Sequence, residues 1–135
     1  MDGVKLTKLK KIHNAKGDIM HAMKKSDSGY YGFGEAYFST IKEGVIKGWK
    51  KHLQMTLNIV VPIGEIKFVI FDENFDENIS VSLSENNYLR LTVRPGLWVA
   101  FKGEERNNML LNLASIEHDP DESINKDLSE IKYEW

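Results

Sequence analysis

Six consecutive residues of the 135-residue chain, Lys47-Gly48-Trp49-Lys50-Lys51-His52, hold its densest chemistry. In an extended strand successive side chains point to opposite faces, so Lys50 and His52 share one face and Lys47, Trp49 and Lys51 the other. A lysine and a histidine side by side inside a barrel can act as a proton-transfer pair. Histidine titrates near neutrality unaided, at about 6.5. Lysine starts at about 10.4 and becomes a base only where burial and adjacent cations disfavour its charge. His52 is therefore the simpler base. Lys50 suits either that role in a dry pocket or the electrostatic role of holding developing negative charge. The same run also fits a surface strand with solvated lysines.

Other side chains could join such a site. Trp49 and Trp98 can stack on a sugar or base, or fill a core or an interface. Asn58 and Asn112 lie in apolar runs, so each needs partners if buried, in a polar pocket or between strands. Arg90 and Arg94 share a strand face with Thr92 and could grip a phosphate or form surface ion pairs. Several chemistries are missing. The chain has no cysteine, hence no disulfide frame, thiolate metal site or thiol nucleophile. Its histidines, at 13, 21, 52 and 118, show no HxH or HxxxH spacing, and no metal site is expected. Gly32-Phe33-Gly34 lacks the third glycine of a dinucleotide fingerprint, and no P-loop or GxSxG occurs.

The elements that must position these groups read as strands. Ile79, Val81 and Leu83 alternate with serines, and Leu89, Leu91 and Val93 alternate with Arg90, Thr92 and Arg94, the period of half-buried strands. Leu57–Val61 and Ile66–Phe71 are denser apolar runs that suit strands buried on both faces. Pro62-Ile63-Gly64-Glu65 between them predicts a hairpin turn. Further strands are expected at Gly34–Ile41, Leu97–Lys102 and Met109–Ser115, with turn-rich separators between. Leu6, Leu9 and Ile12 allow a short helix, though a strand is preferred. Glu117–Asp127, acidic and holding Pro120, reads as a loop. Leu128–Trp135 ends on two aromatics and reads as a docked tail. Strands at short, even intervals define an all-β sandwich or barrel in one domain, residues 1–135, with at most short helical segments.

Charge is segregated. Residues 1–25 carry a net +5 and residues 103–135 a net −6, which reads as two solvated faces that attract each other within or between subunits. The whole chain has a formal net charge of −2 and no apolar run long enough to span a bilayer. Nucleic-acid and membrane partners are not expected. The lack of cysteine fits a cytoplasmic protein.

Several blocks together resemble the short members of the dTDP-4-dehydrorhamnose 3,5-epimerase family. They are Phe33-Gly34-Glu35-Ala36-Tyr37-Phe38-Ser39, Gly44-Val45-Ile46-Lys47-Gly48-Trp49, Met55-Thr56-Leu57-Asn58, Arg94-Pro95-Gly96-Leu97-Trp98, Phe101-Lys102-Gly103 and Leu111-Asn112-Leu113-Ala114. His118-Asp119-Pro120-Asp121-Glu122 and Ile131-Lys132-Tyr133-Glu134-Trp135 complete the match over roughly residues 4–135. The related 3,4-ketoisomerases of deoxysugar pathways share the fold. The resemblance implies a cupin-type double-stranded β-helix (jelly roll), a homodimer, a nucleotide-sugar substrate and no cofactor or metal. The metal-cupin pattern would place histidines at positions 50 and 52, and the first is a lysine here.

Carried over residue by residue, the resemblance assigns His52, Lys50 and Tyr37 to catalysis. It gives Lys47 to substrate binding, and residue type adds Trp49, Arg90, Asn58 and Asn112 as candidates for that role. The family places a catalytic histidine where Lys50 stands, and the epimerases carry a further histidine near Val99. Their late carboxylate, which orients the base, corresponds loosely to Glu134. The implied activity is epimerisation or isomerisation of a 4-keto hexose by proton abstraction beside the ketone, in surface-polysaccharide or deoxysugar synthesis. The alternative is a non-catalytic cupin that binds a nucleotide sugar and has lost its base.

Overall fold

The period-two pattern of the middle of the chain is realised as antiparallel strands. A computed structural model describes residues 1–135. The strands are β1 (Val4–Lys8), β2 (Lys11–Ile12), β3 (Ile19–Met20), β4 (Glu35–Lys42), β5 (Ile46–His52) and β6 (Leu57–Ile63). They continue as β7 (Glu65–Asp72), β8 (Glu77–Ser84), β9 (Leu89–Val93), β10 (Trp98–Gly103), β11 (Asn107–Ala114) and β12 (Ser123–Lys126). Only two 3₁₀ turns, Pro120–Glu122 and Leu128–Glu130, are helical. One sheet has the order β1-β9-β6-β11-β4, the other β12-β5-β10-β7-β8, and β2-β3 forms a small ribbon. This is the all-β jelly roll that the sequence resemblance implies.

The two sheets meet on their apolar faces. Ile59, Val61, Leu91 and Val93 of one pack with Ile66, Phe68, Ile70 and Leu83 of the other. Each such side chain contributes about 1.5–3 kcal/mol on burial. A second cluster lies on the outer face of the second sheet, where Trp49, Val69, Trp98 and Ala100 meet Ile131. Tyr133 and Trp135 cover it, with Trp135 6.3 Å from the Trp49 ring, so the tail is docked by its aromatics. β7 is thereby largely buried on both faces, which explains an apolar run broken only by Lys67.

Two expectations change. Residues 62–65 do not close a hairpin. β6 pairs with β9 and β11, β7 with β10 and β8, so this turn is a corner between sheets. Gly64 makes the corner at a φ of 79°, where an added Cβ would stand 2.1 Å from the Asn107 carbonyl oxygen. The segment expected as a loop at Glu117–Asp127 contains β12, which pairs with β5 from Ser123↔His52 to Lys126↔Trp49. The basic N-terminal residues and the acidic 103–135 segment are largely solvent-facing and share no direct ion pair within the chain; Lys11, for instance, meets Glu85. The N-terminal segment does form a strand, β1, paired with β9. Gly64→Ala is expected to cost about 2–4 kcal/mol of stability, because the corner must open to admit a methyl group. Urea unfolding checks this, and a loss below about 1 kcal/mol would show that the corner relaxes freely.

Candidate active site

A cavity of about 290 Å³ opens between the sheets. β4 contributes Tyr37 and Ser39, β5 Lys47, Gly48, Lys50 and His52, and β11 Leu110 and Asn112. Leu57, Ile59, Val99 and Phe101 complete an apolar floor. Strict alternation would send Lys47 to the outer face with Trp49 and Lys51. It is in the cavity because β5 carries one extra residue opposite β10. Val99 pairs with Lys50 and Phe101 with Lys47, so a step of two on β10 spans three on β5. The bulge inverts the facing of the strand beyond it. Lys47 then joins Lys50 and His52, and Nζ is held by the Thr40 carbonyl at 2.8 Å and Ser39 Oγ at 3.2 Å.

His52 reaches the cavity already held. Its Nδ1 is hydrogen-bonded to Glu122 Oε1. Glu122 is only 4% exposed, and its other oxygen accepts from the backbone N–H of Gln54 at 3.1 Å and of Met55 at 3.2 Å. Burial works against its charge, yet the bonds from His52 and those two N–H groups outweigh burial and hold its carboxyl below the usual 4.5. An ionised carboxylate only accepts, so the Nδ1 of neutral His52 carries the hydrogen and Nε2 is left as the free base. A proton arriving at Nε2 would be stabilised by the same carboxylate, as in other histidine–carboxylate pairs.

Tyr37 stands on the opposite wall, on β4. Asn112, its register partner on β11, donates from Nδ2 to the Tyr37 hydroxyl at 3.0 Å. Lys50 lines the cavity but is exposed, which meets the electrostatic role and not the dry setting a lysine base demands. The site thus presents a base on one wall, a hydroxyl on the other and two cations at the mouth.

Several predicted site residues lie elsewhere. Trp49, 1% exposed, is in the outer aromatic cluster and packs on the opposite side of β5. Arg90 and Asn58 point outward from the first sheet, beneath the 21–33 loop. The Arg90 guanidinium bonds Asn58 Oδ1 at 3.2 Å, the Ala22 carbonyl at 2.8 Å and Asp27 Oδ2 at 3.1 Å. Asn58 Oδ1 also accepts from Thr92 Oγ1 at 2.6 Å, and its Nδ2 donates to the Gly29 carbonyl. This buried knot ties the loop to the sheet and offers no phosphate site. Arg94 stacks on Tyr31 at 3.8 Å. The carboxylate on the base is Glu122 and not Glu134, which is exposed on the tail. Pro120, which suggested a loop, in fact opens the 3₁₀ turn that delivers Glu122, with Asp119 accepting from the Asp121 N–H at 3.0 Å. Asp119-Pro120 is an N-cap signal, but nothing in the residue types announces that Glu122 is buried.

Two antiparallel sheets of a jelly roll with a cavity between them form the cupin fold. The sequence matches the family described as FdtA: WxcM-like, C-terminal, over residues 2–133, and the chain is a member of it. A dTDP sugar isomerase from Desulfovibrio desulfuricans G20 is 28% identical and superposes with a TM-score of 0.88, over 93% of this chain and 85% of that one. A 3,4-ketoisomerase variant from Thermoanaerobacterium thermosaccharolyticum, solved with TDP-4-keto-6-deoxyglucose, is 21% identical with a TM-score of 0.82, over 93% and 89%. A dTDP-4-dehydrorhamnose 3,5-epimerase from Sulfolobus tokodaii is 21% identical with a TM-score of 0.87, over 98% and 82%. These last two share the fold. No match is found among curated proteins.

The Glu122 carboxyl titrates lower folded than unfolded, so it contributes stability that is complete above its ordinary value of 4.5 and lost as pH falls through the folded value. Glu122→Gln is expected to flatten the acid limb of a plot of melting temperature against pH below about 4.5. An unchanged acid limb would show that the carboxylate is not held by these bonds.

Proposed function

We propose that the protein is an isomerase of a nucleotide-linked 4-keto hexose, and that its reaction is 3,4-ketoisomerisation. The observation that carries this reading is the Glu122-held His52 facing Tyr37 across one cavity, in a chain of this family. A ketone at C4 acidifies the C3 proton, because the electron pair released can be held on the carbonyl oxygen. His52 Nε2 removes that proton while the C4 oxygen takes a proton from Tyr37, giving a 3,4-enediol. The Lys50 ammonium opposes the charge that builds on oxygen. The C3 hydroxyl then returns a proton to the Tyr37 phenolate, and protonated His52 delivers its proton to C4. The ketone has moved to C3 with no net loss of atoms or electrons.

Lys47 and Lys50 at the mouth suit the diphosphate of a nucleotide sugar. Isomerisation is favoured over 3,5-epimerisation because the cavity holds one histidine, with Val99 where the epimerases carry another. The 28%-identical relative is a dTDP sugar isomerase. The setting is cytoplasmic deoxysugar or surface-polysaccharide synthesis, and no helix is long and apolar enough to cross a membrane. The protein acts as a homodimer in this reading, since β4 is a sheet edge and its Phe38 is 65% exposed. Lys50 in place of the family histidine supports the second reading, a nucleotide-sugar-binding cupin without turnover.

Incubation with dTDP-4-keto-6-deoxyglucose in deuterium oxide, followed by NMR, separates these readings. Deuterium is expected at C3 of recovered substrate and at C4 of the 3-keto product. His52→Asn should abolish both, and Glu122→Gln should slow both by at least about 10²-fold, because a glutamine can donate to Nδ1 and force the proton onto Nε2. Exchange at C5 as well would make the protein an epimerase. Binding without exchange would favour the non-catalytic reading.

A further inference from the structure

Asn112 is 1% exposed in the middle of a β-strand, a costly place for an amide unless every bond is arranged. Its two ends are engaged by groups of unequal chemistry. The backbone N–H of Asn58 points at Oδ1 at 3.0 Å. A peptide N–H can only donate, so the atom it meets must be the amide oxygen. The NH₂ group therefore faces Tyr37, and Nδ2 reaches the hydroxyl oxygen at 3.0 Å. An NH₂ group can only donate in turn, so it occupies a lone pair of the tyrosine oxygen. No other group of the chain takes the Tyr37 hydrogen, and Tyr37 lines the cavity.

We infer that Asn112 is a positioning residue that sets the polarity of Tyr37, relaying the fixed direction of the Asn58 peptide N–H so that the tyrosine enters the first step as the proton donor, its hydrogen directed into the cavity. The inference rests on the isomerase reading and adds to it a reason why the acid is a tyrosine anchored from β11. The hydrogen is held ready for the C4 oxygen. Once given up, the phenolate oxygen still accepts from Asn112, which steadies the anion until the C3 hydroxyl returns a proton. In this role Asn112 acts through Tyr37, and its NH₂ group also lies 3.9 Å from Met55 Sδ, inside the protein.

Asn112→Asp keeps the shape and still accepts from the Asn58 N–H, but the introduced carboxylate would accept the tyrosine hydrogen and reverse the relay. Removal of the C3 proton by His52 can continue with Lys50 opposing the enolate charge, whereas the proton swap between the two oxygens needs Tyr37. In deuterium oxide, Asn112→Asp and Tyr37→Phe should each lose product formation by about 10²-fold or more while deuterium entry at C3 of recovered substrate falls much less. The double variant should be no worse than Tyr37→Phe alone, since both act on one hydroxyl. Equal loss of exchange and product in Asn112→Asp, or additive loss in the double variant, would overturn the inference.

A second measurement does not depend on turnover or on the buried carboxylate folding. In isotope-labelled protein, Tyr37→Phe should shift the side-chain amide resonances of Asn112 and leave those of Asn58 and Asn108 in place. Unmoved Asn112 resonances would overturn the relay even in an active enzyme. A wild-type protein with no turnover but with this shift would overturn the isomerase reading and leave the relay standing.

Discussion

The site depends on how one strand is paired on its two sides. β5 is hydrogen-bonded to β12 along one edge and β10 along the other, and each pairing does different work. Regular pairing with β12 sets Ser123 opposite His52, which brings the preceding turn, and Glu122 in it, onto the imidazole. Slipped pairing with β10 turns the far half of β5 over and brings Lys47 into the cavity. Base, base partner and cation are thus consequences of one ladder. The facing wall is as rigid, since β4 and β11 run in unbroken register from Glu35↔Ala114 to Lys42↔Asn107.

The protein uses buried polar groups in two ways. Around Arg90 they satisfy one another, joining Asn58, Thr92, Asp27 and the Ala22 carbonyl, and the result is anchorage of a long loop. One guanidinium nitrogen, Nη2, is left without a partner there, where a Cβ at position 29 would stand 3.3 Å from it. Around Glu122 and Asn112 the buried group satisfies backbone N–H groups with one end and holds a cavity side chain with the other. The backbone fixes the orientation, and the side chain transmits it. The difference between scaffold and site is whether the last bond of each network closes inside the protein or ends at the cavity.

The strands were legible because burial leaves a periodic trace. Ile79–Leu83 and Leu89–Val93 alternate in residue type, although the 21–33 loop also buries Arg90 and Thr92, and Ile66–Phe71 is apolar but for Lys67 because sheet and docked tail cover both of its faces. The family blocks made the jelly roll legible too, and with it His52, Tyr37 and Lys47 as site residues, while Asn112 stayed open between a pocket and a bridge between strands. Other features leave no such trace. A bulge changes facing without changing composition, so Lys47 was assigned to the wrong face of its strand while its role was still suggested by resemblance. Arg90 looked like a phosphate ligand because an arginine in a strand is expected at a surface. Its partners, Ala22 and Asp27, lie more than sixty residues away. Glu122 sits among acidic residues of similar appearance, and only tertiary pairing distinguishes it from Asp119, Asp121 and Glu134.

The extra residue in β5 has a consequence for how such a strand can change over time. In a regular ladder, substitution alters one position and leaves the neighbours where they were. Here the charge of the cavity depends on whether the extra residue between Lys47 and Lys50 is bulged out along the edge of β10. Loss of that residue would set the two lysines two apart on a regular ladder and keep both in the cavity, whereas a one-residue slip that straightened the bulge would conserve every side chain and still turn Lys47 out. Register, ordinarily a matter of fold alone, would act in this strand as an adjustment of electrostatics.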